Sequence, residues 1–282
     1  RRHLIDEVET PVGLPASVPQ AARTASTAPA IDLTGKPKVW LVIGPGRSGK
    51  TMLLRWAFEM TANRGDVSTI WAAADPQNRF LSNYVEDVAE PPTNDGAETA
   101  RWLEDLLRHT MATKISAMVD LGGGDTSLHK LLSIVPTLAD DIDSAGVAPV
   151  AVYAIGPRID DLASLASFEA IGFRPKATAL VLNEGLADPA MHREDAFARV
   201  LNHSAYRAAL ARGAVEIWLP RLDQAVAQDI EAKRIGFLQA RDAISPQHRK
   251  VTPLGPFDRA HVRKWLEAMA AELAPVQSWL PA

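Results

Sequence analysis

The sequence contains no cysteine, which excludes disulfides and thiolate metal sites and is compatible with a reducing compartment. It has no apolar run near the roughly 18 residues of a membrane span. Histidines are few and scattered. His109, His129, His192, His203, His248 and His261 sit in unrelated segments with no metal-ligand spacing, and no Ser-His-Asp set can be argued from their order. Excess positive charge is also missing: the net charge is −4, which argues against wholesale nucleic-acid binding but allows a local basic face. No signal peptide is visible, and the chain opens at Arg1 rather than at Met. The expectation is a cytoplasmic protein whose first residues have been removed. What is present is 282 residues, 47% hydrophobic and 23% charged, enough for a substantial globular core in one large domain or two small ones.

Residues 1–36 stand apart. Pro11, Pro15, Pro19 and Pro29 interrupt an Ala/Ser/Thr-rich stretch, so this segment reads as an extended or flexible N-terminal arm. Residues 37–282 read as one domain in which apolar strands alternate with helical patterns. Strands are expected at Val39–Ile43, Ser68–Ala72, Ile115–Leu121, Val150–Ile155, Ala177–Leu182 and Val215–Leu219. Helical spacing runs through Leu103, Leu106, Leu107 and Met111, around Asp160–Ala170, from Leu222 through Ile230, and over Phe257–Leu273. This alternation predicts an α/β fold, a mostly parallel sheet with helices on both faces.

Residues 44 to 51 read Gly-Pro-Gly-Arg-Ser-Gly-Lys-Thr and fit the phosphate-loop pattern G-x-x-x-x-G-K-[ST] at every fixed position. A chain of this length would match by chance about once in a hundred sequences. The apolar run Val39–Ile43 precedes it, and Met52–Phe58 follows without a breaker, so strand, glycine loop and helix occur in the required order. Gly44, Pro45, Gly46, Arg47, Ser48, Gly49, Lys50, Thr51 and Met52 form the candidate phosphate-binding stretch. Its glycines let backbone N–H groups approach phosphate oxygens, and the following helix points its positive dipole end at the same anion. Lys50 would reach the β- and γ-phosphates, and the Thr51 hydroxyl would ligate Mg²⁺. Gly44-x-Gly46-x-x-Gly49 also satisfies the dinucleotide fingerprint, but that pattern does not ask for Lys-Thr next.

Three further places can complete such a site. Asp120 ends the third strand, where a carboxylate can hold Mg²⁺ or its water, and Gly122-Gly123-Gly124 follows as a turn able to approach a γ-phosphate. The competing reading is an ordinary strand-to-helix loop. Asp125 is expected to cap the helix at Thr126–Leu132. Asp75, directly after the second strand, is either a water-orienting acid or the start of an Asp-Pro turn. Asn183, at the end of the fifth strand, is either a purine-reading amide or a turn residue.

Taken together, residues 38 to 222 resemble the ParA/MinD-type P-loop ATPases, dimerising proteins that position DNA or protein cargo, and most nearly those of plasmid conjugation and mobilisation loci. The resemblance implies ATP and Mg²⁺ as cofactors, a P-loop NTPase fold and a homodimer. It also implies a water-orienting role for Asp75, a metal-supporting role for Asp120, and an adenine contact for Asn183 with Pro220 on the other side of the base. The pattern departs from the family at Pro45, where a signature lysine is usual, at Arg47, where the second glycine is usual, and at Ala73, where a first acid is usual. The missing lysine bears on the dimer and on hydrolysis. Arg47 reads as a surface side chain, with a substitute cation as the alternative.

Basic residues concentrate between Lys233 and Lys264, opposed only by Asp242 and Asp258. Such a face can bind DNA phosphate or an anionic membrane, or simply be solvated. Trp265 and Trp279 read as packing residues rather than membrane anchors. The leading expectation is a nucleotide-switched positioning or DNA-transfer factor that binds Mg-ATP. The alternatives are a small-molecule or nucleotide kinase, with Arg79, Arg158 and Arg193 as lid candidates, and a nucleotide-stabilised subunit that does not hydrolyse ATP.

Overall fold

The computed structural model describes residues 30–65, 68–74, 81–85, 87–124, 126–245 and 250–281. Six strands form one sheet: β1 (Lys38–Ile43), β2 (Ile70–Ala73), β3 (Ala117–Asp120), β4 (Ala148–Ile155), β5 (Ala177–Asn183) and β6 (Val215–Leu219). Their order is β2-β3-β1-β4-β5-β6, and every neighbouring pair is parallel. The helices are α1 (Lys50–Asn63), α2 (Gly96–Thr113), α3 (Ser127–Ile134), α4 (Leu138–Ser144), α5 (Ala163–Ala170), α6 (Arg193–Ala196), α7 (Ala198–Leu201), α8 (Ser204–Ala211), α9 (Gln224–Lys233), α10 (Phe237–Asp242) and α11 (Pro256–Leu273).

The central strands are apolar because both faces of the sheet are covered. All six residues of β1 and all eight of β4 are buried. Side chains along a strand alternate between faces, so Trp40 and Val42 join one core while Val39, Leu41 and Ile43 join the other. The first core is roofed by α1, α9, α10 and α11, the second by α2 to α5 with α7 and α8. Trp265 and Trp279 both lie in the first core.

The described end of the arm is docked on this domain. Trp40 Nε1 donates to the Trp279 carbonyl at 2.7 Å, and Trp279 Nε1 donates to the Ile31 carbonyl at 2.8 Å. The Leu33 N–H donates to Ser278 Oγ at 3.1 Å, with the Leu33 side chain buried. Indole N–H groups inside an apolar core need such partners, and two backbone carbonyls supply them.

β1 has β3 on one side and β4 on the other, although β2 follows it in the chain. The loop leaving β1 therefore opens at the point where the winding reverses. In open parallel sheets, ligand crevices lie at that point, outside the carboxyl ends of the strands.

Candidate nucleotide-phosphate site

The loop from Gly44 to Gly49 joins β1 directly to α1. Its turn is closed by the Ser48 N–H donating to the Pro45 carbonyl at 3.3 Å. Gly49 starts the helix with φ 99°, a left-handed conformation suited to glycine, and a Cβ there would collide with the Asn183 amide nitrogen. Gly49→Ala is expected to cost about 1–2 kcal/mol from the backbone alone, read as a lower midpoint in denaturant unfolding. No side chain caps α1, and its first turn carries no acid, so the positive end of the helix faces the cavity.

Lys50 is buried, and its Nζ donates to the Gly44 carbonyl at 3.0 Å and the Pro45 carbonyl at 3.1 Å. The ammonium is thus held inside the loop curl. The Thr51 hydroxyl donates to Asp120 Oδ2 at 2.9 Å. Register explains this meeting: Val42 pairs with Asp120 across β1 and β3, so the acid emerges beside the loop. The turn after Asp120 packs on the loop so closely that a Cβ on Gly123 would collide with the Gly46 backbone nitrogen. Gly46 itself faces open space. Ala73 pairs with Asp120 from β2 and lines the same cavity.

This cavity is about 250 Å³, lined by residues 46–52 on one side and by Ala73, Asp120, Gly122 and Gly123 on the other. A wider groove of about 510 Å³ lies at the opposite end of β1, between Asp32, Lys38, Arg64 and Gln277, and holds none of the motif residues.

Asn183 reaches the same end of the sheet from β5. Its amide Nδ2 donates to the Ser48 carbonyl at 2.9 Å, and its Oδ1 accepts from the Gly185 N–H at 2.9 Å. It is buried, and it ties the phosphate loop to the fifth strand. Pro220 follows Leu219, which pairs with Asn183. The Pro220 carbonyl accepts from Trp265 Nε1 at 2.9 Å. Asp75 and Asp125 lie outside the described residues, as does Arg79. The helix expected after Asp125 begins at Ser127, with Thr126 at the N-cap position.

A phosphate group with a divalent cation suits this set of atoms. Ser48 Oγ is buried with no hydrogen-bond partner among the described residues. The helix start is uncapped. Thr51 and Asp120 offer hard oxygen atoms side by side, as Mg²⁺ prefers. Among the described residues, no group of three or more His, Asp or Glu is placed to hold a metal.

Sequence reading missed one charged cluster beside the site. Arg55, one turn beyond Thr51 on α1, stacks over the Tyr84 ring at 3.4 Å and the Phe237 ring at 4.6 Å. Glu59 accepts from the N–H groups of Phe237 and Leu238, both at 2.7 Å. Burial pushes the Glu59 carboxyl up, opposed by those two bonds and by Arg55, and burial pulls the Arg55 guanidinium down. The only sequence signal was an i, i+4 pair of opposite charges on an otherwise apolar helix.

The basic C-terminal segment is partly neutralised. Lys233 pairs with Asp229, and Arg241 pairs with Asp242 at 2.6 Å. Arg263 and Lys264 on α11 stay exposed, as does Lys250. Among the described residues, no helix is long and apolar enough to cross a membrane.

No protein-family model matches the chain, and no curated protein matches it. Among solved structures, the MinD cell division protein of Aquifex aeolicus aligns over 83% of this chain and 97% of its own, at 13% identity and a TM-score of 0.43. The MinC:MinD cell division protein complex of the same organism aligns over 82% and 96%, at 11% identity and a TM-score of 0.43. The signal recognition particle receptor FtsY of Elizabethkingia anophelis aligns over 83% of this chain and 66% of its own, at 13% identity and a TM-score of 0.41. At these values the similarity transfers no residue role to this chain.

Proposed function

We propose that this chain is a P-loop ATPase of the ParA/MinD kind. It would bind Mg-ATP and use it as a switch in positioning DNA or a protein complex. The observation that carries the reading is the pairing of Thr51 with Asp120 beside Lys50, at the uncapped start of α1. These groups match a triphosphate and its metal in both charge and donor type. In this reading residues 37–282 are the ATPase domain and residues 1–36 the arm.

Each residue then has a physical task. Lys50 neutralises the phosphate chain, and the loop amides and the Ser48 hydroxyl hydrogen-bond its oxygens. Thr51 and Asp120 would hold Mg²⁺, which supplies charge neutralisation for the β- and γ-oxygens. Asn183 keeps the loop in its binding shape through the Ser48 carbonyl, and its remaining N–H and Pro220 are the candidate contacts for adenine. Asp75 is proposed to orient water. Pro45 leaves the loop without a second lysine, so slow turnover is expected. The Gly122–Gly123 turn touches the loop, so an arriving terminal phosphate would displace it and report occupancy to the rest of the molecule.

Exposed Arg263 and Lys264 favour a phosphate-bearing partner such as duplex DNA, with affinity that falls as salt rises. The test is phosphate release with Mg-ATP, with and without duplex DNA, for wild type and Lys50→Ala. DNA-stimulated release that disappears in the variant supports the reading. Tight binding without release in either condition would sink the ATPase part and favour a nucleotide-stabilised subunit. Asp120→Asn is expected to abolish the gain in ATP affinity that Mg²⁺ provides, about tenfold or more in wild type, measured by titration with and without EDTA.

A further inference from the structure

Arg47 has φ 64°, the left-handed region, at the third position of the turn closed by Ser48 and Pro45. A turn of this kind asks for glycine there. Other non-glycine residues with positive φ have local reasons: Lys114, Arg234 and Ala243 end helices, and Asp87 is of a type that tolerates the region. Arg47 ends no helix, and any branched or long side chain at this point is held against its backbone preference. Its side chain is exposed, lines the phosphate cavity and pairs with no acid among the described residues. Lys50 sits inside the loop curl, whereas Arg47 stands at the rim of the same cavity. Two cations, one inner and one outer, suit an anion longer than a single phosphate.

We propose that the Arg47 guanidinium is a specificity-determining group that takes the terminal phosphate of a bound triphosphate. The strained backbone at Arg47 is then retained for binding rather than for folding. This rests on the nucleotide reading above and adds a side-chain role that the loop pattern does not ask for.

The test compares wild type, Arg47→Gly, Arg47→Lys and Lys50→Ala by thermal unfolding without nucleotide and by titration with ATP and with ADP in Mg²⁺. Glycine relieves the left-handed strain, so Arg47→Gly is expected to unfold at the same temperature as wild type or higher. It is expected to lose about tenfold or more in ATP affinity, with an ADP loss under about threefold. Arg47→Lys should recover part of the ATP affinity. Unchanged ATP affinity in Arg47→Gly, or equal losses for ATP and ADP, would overturn the proposal while leaving the nucleotide site intact, provided Lys50→Ala still loses binding. No ATP binding by wild type would overturn both.

Discussion

Lys50→Ala is expected to lower ATP affinity at least about 100-fold, or about 2.7 kcal/mol, while the protein stays folded. The ammonium is buried in the loop curl and already faces two carbonyl oxygens, so it is positioned before any anion arrives. Removing it leaves the inner part of the phosphate chain against a helix dipole and neutral amides, with Arg47 only at the rim, and these attract it far less than a buried charged donor does. The folded state loses the bonds to the Gly44 and Pro45 carbonyls, costing about 1–2 kcal/mol. Circular dichroism and thermal unfolding of the variant separate the two effects. Loss of affinity with a native-like transition places the effect in the site, and loss of both would mean that the lysine mainly holds the loop together.

The second large effect is on stability. Glu59→Ala is expected to destabilise the protein by about 2–4 kcal/mol, lowering the unfolding temperature by about 5–10 °C. Glu59 accepts both N–H groups that open α10, and it neighbours Arg55, which is wedged between Tyr84 and Phe237. Truncation leaves two amides without an acceptor and a half-buried guanidinium short of a counter-charge. Glu59→Gln keeps one acceptor oxygen and should cost less. The pH dependence has a defined sign. Burial raises the folded carboxyl above its unfolded value, so the folded state binds a proton more readily in that window. Its contribution to stability is fully present below the ordinary glutamate range and declines as pH rises through the folded value. Glu59→Gln should flatten that decline, and a denaturant series across the acid range would measure it.

The strands were legible because a sheet covered on both faces needs apolar runs, and each of the six appears within about two residues of its run. The phosphate loop was legible because its geometry restricts residue type at fixed spacings. Thr51 and Asp120 were legible as separate candidates, and their hydrogen bond follows from parallel register between β1 and β3. Contacts between distant segments were not legible. Asn183 binds the Ser48 carbonyl across 135 positions of sequence, and no local pattern distinguishes that from a turn asparagine. The Arg55–Glu59 cluster was hidden for a different reason: paired charges on a helix ordinarily face water, and these turn toward α10. Trp265 and Trp279 were readable as packing residues, but the bonds that link Trp279 to Trp40 and Ile31 depend on where the last segment docks.

The central claim is that the loop at residues 44–51 binds a Mg²⁺-linked triphosphate. Calorimetric titration of the wild-type chain with ATP, first with Mg²⁺ and then with EDTA, tests it most directly. Saturable one-site binding that weakens about tenfold or more without Mg²⁺ is the predicted result. Absence of saturable binding at millimolar ATP with Mg²⁺ present would contradict the account.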